Sequence, residues 1–211
     1  MIHGLALPKC EVLIPRGLHE QVLGASVAAL GRQPAGKHPV LTLLEEHQAI
    51  LAVLDTLEEA VRQLEAAPSA QAARDRLGRL RRAAALLQQA ESHHLREEQV
   101  IFPRLERRGI VEPPALMRQD HELFRRREQR LTALAEQAAG DGDFGLWRCE
   151  VVEQGQQLVH ELASHILKED NVLYREALRA FDAAEWEKVR SESDAIGYCR
   201  FELEPAPLRR D

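Results

Sequence analysis

Two short segments of the chain carry the same set of metal-binding side chains. Residues 93–102 read HHLREEQVIF, and residues 165–174 read HILKEDNVLY. Each segment begins with a histidine, continues after three residues with a glutamate and a second acid, and ends in an aromatic residue. Residues four apart on a helix lie one turn above one another and project together. The spacing therefore predicts two pairs of metal ligands: His93 with Glu97, and His165 with Glu169.

An acid followed directly by a histidine stands upstream of each segment. These pairs are Glu46-His47 and Asp120-His121. The histidine of each pair precedes the first histidine of its segment by a similar stretch, 46 residues in the first half and 44 in the second. The chain thus contains two helix pairs of one design. Four histidines and two glutamates are predicted to converge at one depth of a helical core.

These residue types favour a pair of iron ions. Ionised carboxylates in a protein core cost several kcal/mol each when they are unpaired, and divalent metal ions remove that cost. Six such ligands fill roughly eight coordination positions, whereas two six-coordinate ions share up to about twelve. Water, an oxo or hydroxo bridge and a small ligand can occupy the rest. Because imidazole with carboxylate suits iron better than structural zinc, the predicted cofactor is an oxo- or hydroxo-bridged di-iron centre.

A second His-x-x-x-Glu pair lies one residue later in the first segment. His94 and Glu98 would point about 100° away from their neighbours around the helix. The second segment has Ser164 where a ligand would be expected if this register were used. We therefore assign His93 as the ligand and expect His94 and Glu98 to lie outside the ligand set or at the surface.

Two more histidines are kept as possible extra ligands. His38 precedes the first helix and could approach the site from its end. His160 lies five residues before His165, well off its face of the helix. Glu161 lies one turn before His165 and is expected to accept the hydrogen of its ring and orient it.

Four amphipathic stretches must position these side chains. Apolar residues recur at three- and four-residue steps, as on one face of a helix. Short polar turns between long helices favour antiparallel neighbours, so the sequence predicts an all-α, up-down-up-down four-helix bundle. The predicted helices run from about Pro39 to before Pro68, from about Ser69 to Arg108, from about Pro113 to Ala139 and from about Gly145 to Ala180.

Proline and glycine mark the boundaries of this bundle. Residues 1–36 are predicted to be an irregular extension with one short helix at about 18–30. Residues 37–181 form the bundle, and residues 182–211 form a short helix and a tail. Pro103 is expected to kink or shift the end of the second helix, because proline lacks the N–H group that the helix uses.

The sequence resembles the hemerythrin HHE cation-binding family. The half-motif of that family is an acid-His helix followed by His-x-x-x-Glu-Glu and then Phe-Pro. The first copy matches it through Phe102 and Pro103, whereas Tyr174 and Arg175 stand at those places in the second copy. The resemblance covers about residues 39–180.

Two further stretches resemble a bacterial subgroup of unknown function within this group of proteins. They are His38-Pro39 and the Ile-Gly-Tyr-Cys sequence at 196–199. The subgroup has Gly-His-Pro at the first helix, and this chain has Lys37 in place of the glycine.

The resemblance implies a hemerythrin-like protein that binds or senses a diatomic ligand, O2 or NO, at its di-iron centre. Two other classes remain open. One is a redox enzyme that reduces NO or peroxide, acts as a ferroxidase or donates iron in iron-sulfur repair. The other is a metal-responsive interaction protein. The repair members carry adjacent cysteines in an N-terminal segment, where this chain has only Cys10, and no catalytic residue is assigned.

Composition limits the partners. The net charge is −6 over 211 residues, which argues against nucleic-acid binding because phosphate contacts need a clustered basic surface. No run of roughly 18 apolar residues that would span a membrane is found, and the first residues do not show the basic-then-apolar pattern of a signal peptide, so we expect neither feature. Three widely spaced cysteines argue against a secreted disulfide framework. We expect a cytoplasmic protein whose partner is a small diatomic ligand, with the oligomeric state open, a homodimer included.

Overall fold

A computed structural model describes residues 38–137 and 142–201. Within these ranges every regular element is helical and no strand is present. This confirms the predicted all-α bundle. The extension predicted for residues 1–36, with its short helix, and the tail beyond residue 201 lie outside the described residues. None of the helices in the two ranges is long and apolar enough to cross a membrane.

Four long helical runs form the bundle. The first and the third run each pack against the second and the fourth. The first run is α1 (Pro39–Glu65), and a short α2 (Ala70–Arg74) follows it. The second run spans 77–106 and consists of α3 (Leu77–Leu87), a 3₁₀ turn (Gln88–Ala90), α4 (Glu91–Arg96), a π turn (Glu97–Ile101) and α5 (Phe102–Glu106).

The second half of the chain repeats this plan. The third run is α6 (Glu112–Glu136). The fourth run spans 144–180 and consists of α7 (Phe144–Lys168), a π turn (Glu169–Leu173) and α8 (Tyr174–Ala180). A final helix, α9 (Ala183–Ile196), packs against α1 and the second run.

Polar side chains begin several of these helices. An N-cap side chain accepts a hydrogen bond from one of the first backbone N–H groups, which otherwise have no partner. Pro39 lies in the first turn of α1, where its missing N–H group costs nothing. The capping side chains are His38 for α1, Ser69 for α2, Asp143 for α7 and Asp182 for α9.

The second run is less regular than the single helix predicted from about 69 to 108. A π turn ends just before Phe102 and Pro103, where the proline cannot donate a backbone hydrogen bond. Proline alone does not explain the π turn, because the fourth run has a π turn at the matching place and no proline after it. Both π turns begin at the glutamate of a His-x-x-x-Glu sequence. Such turns occur often at functional sites.

The polar residues of the motifs form a layer between two apolar clusters. On α1, Leu44 belongs to one cluster and Ile50 to the other, with His47 between them. Trp186 and Val189 of α9 complete the cluster that contains Leu44. The residues that could bind a metal therefore lie inside the core, away from bulk water.

Candidate metal centre

The structure brings the six predicted ligands together in this polar layer. All six side chains are buried. Two groups have ligand atoms that all lie within 4.8 Å of one another, and Glu169 belongs to both. The groups are His47, His93 and Glu169, and His121, His165 and Glu169.

Both glutamates lie between the two groups. Glu169 places Oε2 3.1 Å from Nε2 of His47 and Oε1 2.7 Å from Nε2 of His165. Glu97 places Oε2 3.6 Å from Nε2 of His93 and 3.5 Å from Nε2 of His121. Each carboxylate can therefore contact two metal ions, one held by each group.

Each histidine turns its Nε2 atom inward and its Nδ1 atom to a carboxylate. The Nε2 atoms of His47 and His93 are 3.0 Å apart, and those of His121 and His165 are also 3.0 Å apart. Because a carboxylate accepts hydrogen bonds, each Nδ1 is the donor and each Nε2 directs a lone pair into the centre. The Nδ1 contacts are His47 with Asp170 at 2.8 Å, His93 with Glu46 at 2.9 Å, His121 with Glu98 at 2.8 Å and His165 with Asp120 at 3.0 Å.

This donor set fits two cations. Two lone pairs that face each other at 3.0 Å repel unless a proton or a metal ion lies between them. When every Nε2 carries a lone pair, no described residue donates a hydrogen bond to Oε2 of Glu97 or to either carboxylate oxygen of Glu169, although the Nε2 atoms of His47 and His165 lie 3.1 and 2.7 Å from Glu169. Buried oxygens without partners are costly, and a cation satisfies them. The histidine lone pairs and the carboxylate oxygens of Glu169 meet within the two groups, so one cation in each group would satisfy both.

Protons take the place of cations when no metal is bound. Burial by itself lowers the pKa of His47, but the carboxylates of Asp170 and Glu169 raise it to about 10. Burial lowers the pKa of His93 to about 4, so His47 holds the proton of this pair. In the other pair, burial is again outweighed by Glu169 and Asp120, which raise the pKa of His165. A metal ion that enters the group of His47 and His93 must displace the proton of His47.

A family model described as the hemerythrin HHE cation binding domain matches residues 38–177. The chain belongs to this hemerythrin family. A search of curated proteins found no match. All six candidate ligands of the layer lie within the matched range, and the family implies that this hemerythrin domain binds a metal cation.

The carboxylates that orient the ligand histidines were not assigned this role from the sequence. Glu46 and Asp120 were noted only as the acids that precede His47 and His121. The signal was present, because an acid precedes the histidine on the first and third helices, and a second acid follows the glutamate in both segments. Glu98 was expected outside the ligand set, and its contact with Nδ1 of His121 agrees with that expectation.

The predicted role of Glu161 is wrong. Its carboxylate accepts from the guanidinium of Arg127, at 2.7 and 2.9 Å, and Asp120 orients His165 instead. The carboxylate of Glu161 is held by Arg127 across the interface between the third and fourth runs, and so it does not meet the ring of His165.

The additional histidines lie outside the two groups. His38 accepts from the backbone N–H of Val40 at 3.2 Å and packs on Trp186, with ring centroids 4.5 Å apart. His160 is exposed. His94 is buried and stacks on the ring of His121 at 4.1 Å, so it supports the site through packing.

Proposed function

We propose that the hemerythrin domain holds two iron ions and that it binds or senses a diatomic ligand, O2 or NO. The observation that carries this proposal is the pair of facing histidine couples that share Glu169. In this assignment His47 and His93 hold one iron, and His121 and His165 hold the other. Imidazole and carboxylate ligands together are suited to iron.

The side chains of the chain would hold the two ions and set their environment. Neutral imidazoles would donate to the ions through Nε2, and the carboxylates of Glu97 and Glu169 would help to hold the ions and offset their charge. The carboxylates on Nδ1 keep each ring in one tautomer and orientation. When bound, iron supplies the redox chemistry and the open coordination position that a diatomic ligand needs.

Apolar side chains would keep this position dry and small. The ring of Phe124 lies 5.0 Å from that of His165, and the ring of Phe102 lies 5.9 Å from that of His121. Both phenylalanines are buried. A low-polarity wall of this kind admits an uncharged diatomic molecule more readily than a charged substrate.

Reconstitution with ferrous iron under anaerobic conditions tests the proposal. We expect two irons per chain, and a change in the visible absorption when NO or air is added. Glu169→Gln should lose iron from both positions, because Glu169 belongs to both groups. His160→Gln is the matched control, since His160 is exposed and should leave the iron count unchanged.

Three results would oppose the proposal. One is fewer than two irons per chain in the wild type, and another is full iron loading of Glu169→Gln. The third is a loaded protein whose spectrum responds to neither NO nor air. Sustained consumption of peroxide or NO by the loaded protein would instead place it among the redox enzymes.

A further inference from the structure

One difference between the two halves of the metal centre is a hydroxyl group. Tyr174 ends the second segment where Phe102 ends the first, and both side chains are buried. Tyr174 stacks on His47 with ring centroids 5.6 Å apart, and Phe102 stacks on His121 at 5.9 Å. The two aromatic rings therefore occupy equivalent places, and only one of them carries an oxygen.

That oxygen lies among the ligand atoms of the first group. The hydroxyl of Tyr174 is 3.3 Å from Nε2 of His47 and 3.4 Å from Nε2 of His93. It is also 2.7 Å from Oε1 of Glu97. Among the described residues, Tyr174 is the one whose hydroxyl oxygen contacts both of these histidines.

These distances match the spacing of ligands around one metal ion. Metal–nitrogen and metal–oxygen bonds of roughly 2.0–2.2 Å place neighbouring ligands of an octahedron about 3 Å apart. The two Nε2 atoms of His47 and His93 have this spacing, at 3.0 Å, as do Nε2 of His47 and Oε2 of Glu169, at 3.1 Å. The hydroxyl oxygen of Tyr174 lies at a similar distance, 3.3 and 3.4 Å, from the two Nε2 atoms.

We infer that Tyr174 is a further ligand of the iron held by His47 and His93, and that the iron held by His121 and His165 has no such ligand. This inference rests on the proposed function. On binding, the phenol O–H bond breaks, the proton leaves to solvent, and the oxygen donates an electron pair to the metal, with no change of oxidation state. The position open to a diatomic ligand then lies at the second iron, beside Phe102.

Resonance Raman and visible absorption spectra of the ferric protein test this assignment. A tyrosine oxygen bound to ferric iron produces a charge-transfer band and enhanced tyrosine ring vibrations. The chain contains two tyrosines, Tyr174 and Tyr198. We expect the band in the wild type and in Tyr198→Phe, and its loss in Tyr174→Phe. Phe102→Tyr should add a second tyrosine signal, because it places a phenol beside the other iron.

The outcomes separate the inference from the proposed function. Two irons per chain without a tyrosine band, or a band that persists in Tyr174→Phe, would show that Tyr174 only donates a hydrogen bond to Glu97 and would overturn the inference alone. A wild type that takes up no iron would overturn both. If Tyr174→Phe fails to fold, the wild type and Tyr198→Phe still decide, since a band retained without Tyr198 belongs to Tyr174.

Discussion

Glu46 and Asp120 hold equivalent places in the two halves of the centre. Replacing either should weaken metal binding to a similar extent, but the two replacements should lower the stability of the fold by different amounts. Each accepts a hydrogen bond from Nδ1 of a ligand histidine, at 2.9 Å from His93 and 3.0 Å from His165. Loss of such a carboxylate typically weakens metal binding about 10- to 100-fold. We expect both Glu46→Gln and Asp120→Asn to reduce metal affinity by about this factor, or roughly 1.4–2.7 kcal/mol.

Their effects on folding should differ because the two acids have different second partners. Burial would raise the pKa of Glu46, but His93 and Arg96 lower it to about 2, so it is ionised at neutral pH. Its partner Arg96 is 1% exposed. Breaking a buried ion pair costs about 3–5 kcal/mol. Asp120 pairs instead with Lys168, whose side chain is 47% exposed, and an exposed pair contributes only about 0–1 kcal/mol.

Urea unfolding in the presence of a chelator measures the stability of the metal-free protein, and competition with a chromophoric chelator measures metal affinity. Glu46→Gln should lower the free energy of unfolding by about 3 kcal/mol or more, and Asp120→Asn should lower it less, because the ion pair that it breaks with Lys168 is half exposed. Glu45→Gln, a change at the exposed neighbouring acid, is the control and should have little effect. Equal destabilisation by Glu46→Gln and Asp120→Asn, or unchanged metal affinity in both, would refute the reasoning.

Three more predictions concern pH and packing. Metal affinity should rise with pH, because the ion that enters the first group displaces a proton held in the free protein by His47. Calorimetry in buffers of different ionisation enthalpy should find net proton release on metal binding, and no release would contradict this. Burial raises the pKa of Glu128 from 4.5 to about 7. The folded protein should therefore lose up to about 3 kcal/mol as the pH rises from 4.5 through 7. Glu128→Gln should abolish that loss, as measured by urea unfolding at pH 5 and pH 8. The same pH dependence in the wild type and in Glu128→Gln would count against this role of Glu128. A Cβ at Gly155 would lie 2.3 Å from Cγ2 of Val61, so Gly155→Ala should cost about 1–3 kcal/mol. Thermal unfolding of the double variant Gly155→Ala/Val61→Ala should show that part of this loss of stability is recovered. If the losses of the two single variants simply add, the two helices do not meet at these residues.

The side chains that meet in the centre could be predicted because their grouping depends largely on local geometry. A spacing of four residues places His93 above Glu97, and His165 above Glu169, in any α-helix. The apolar repeats also predict four helices and their order without knowledge of how they pack. The repeated motif then relates the two halves of the chain, so histidines on separate helices could be assigned to one layer.

The orientation of the ligands could not be predicted in this way. His47 is oriented by Asp170, which lies 123 residues away in the sequence. Glu161 was the local choice for His165, but it pairs with Arg127 across the helix interface. Which acid meets which ring depends on how far each helix is rotated and shifted along its axis when the helices pack.

The sequence alone therefore determined which side chains share a helix face, and it showed that Tyr174 and Phe102 hold matching places in the two segments. Only the tertiary structure decided that the hydroxyl of Tyr174 lies 3.3 Å from Nε2 of His47. The reason is that helical periodicity arises from hydrogen bonds between residues close in the chain. The distance between atoms on different helices is set by packing of the whole core, to which no single spacing in the sequence corresponds.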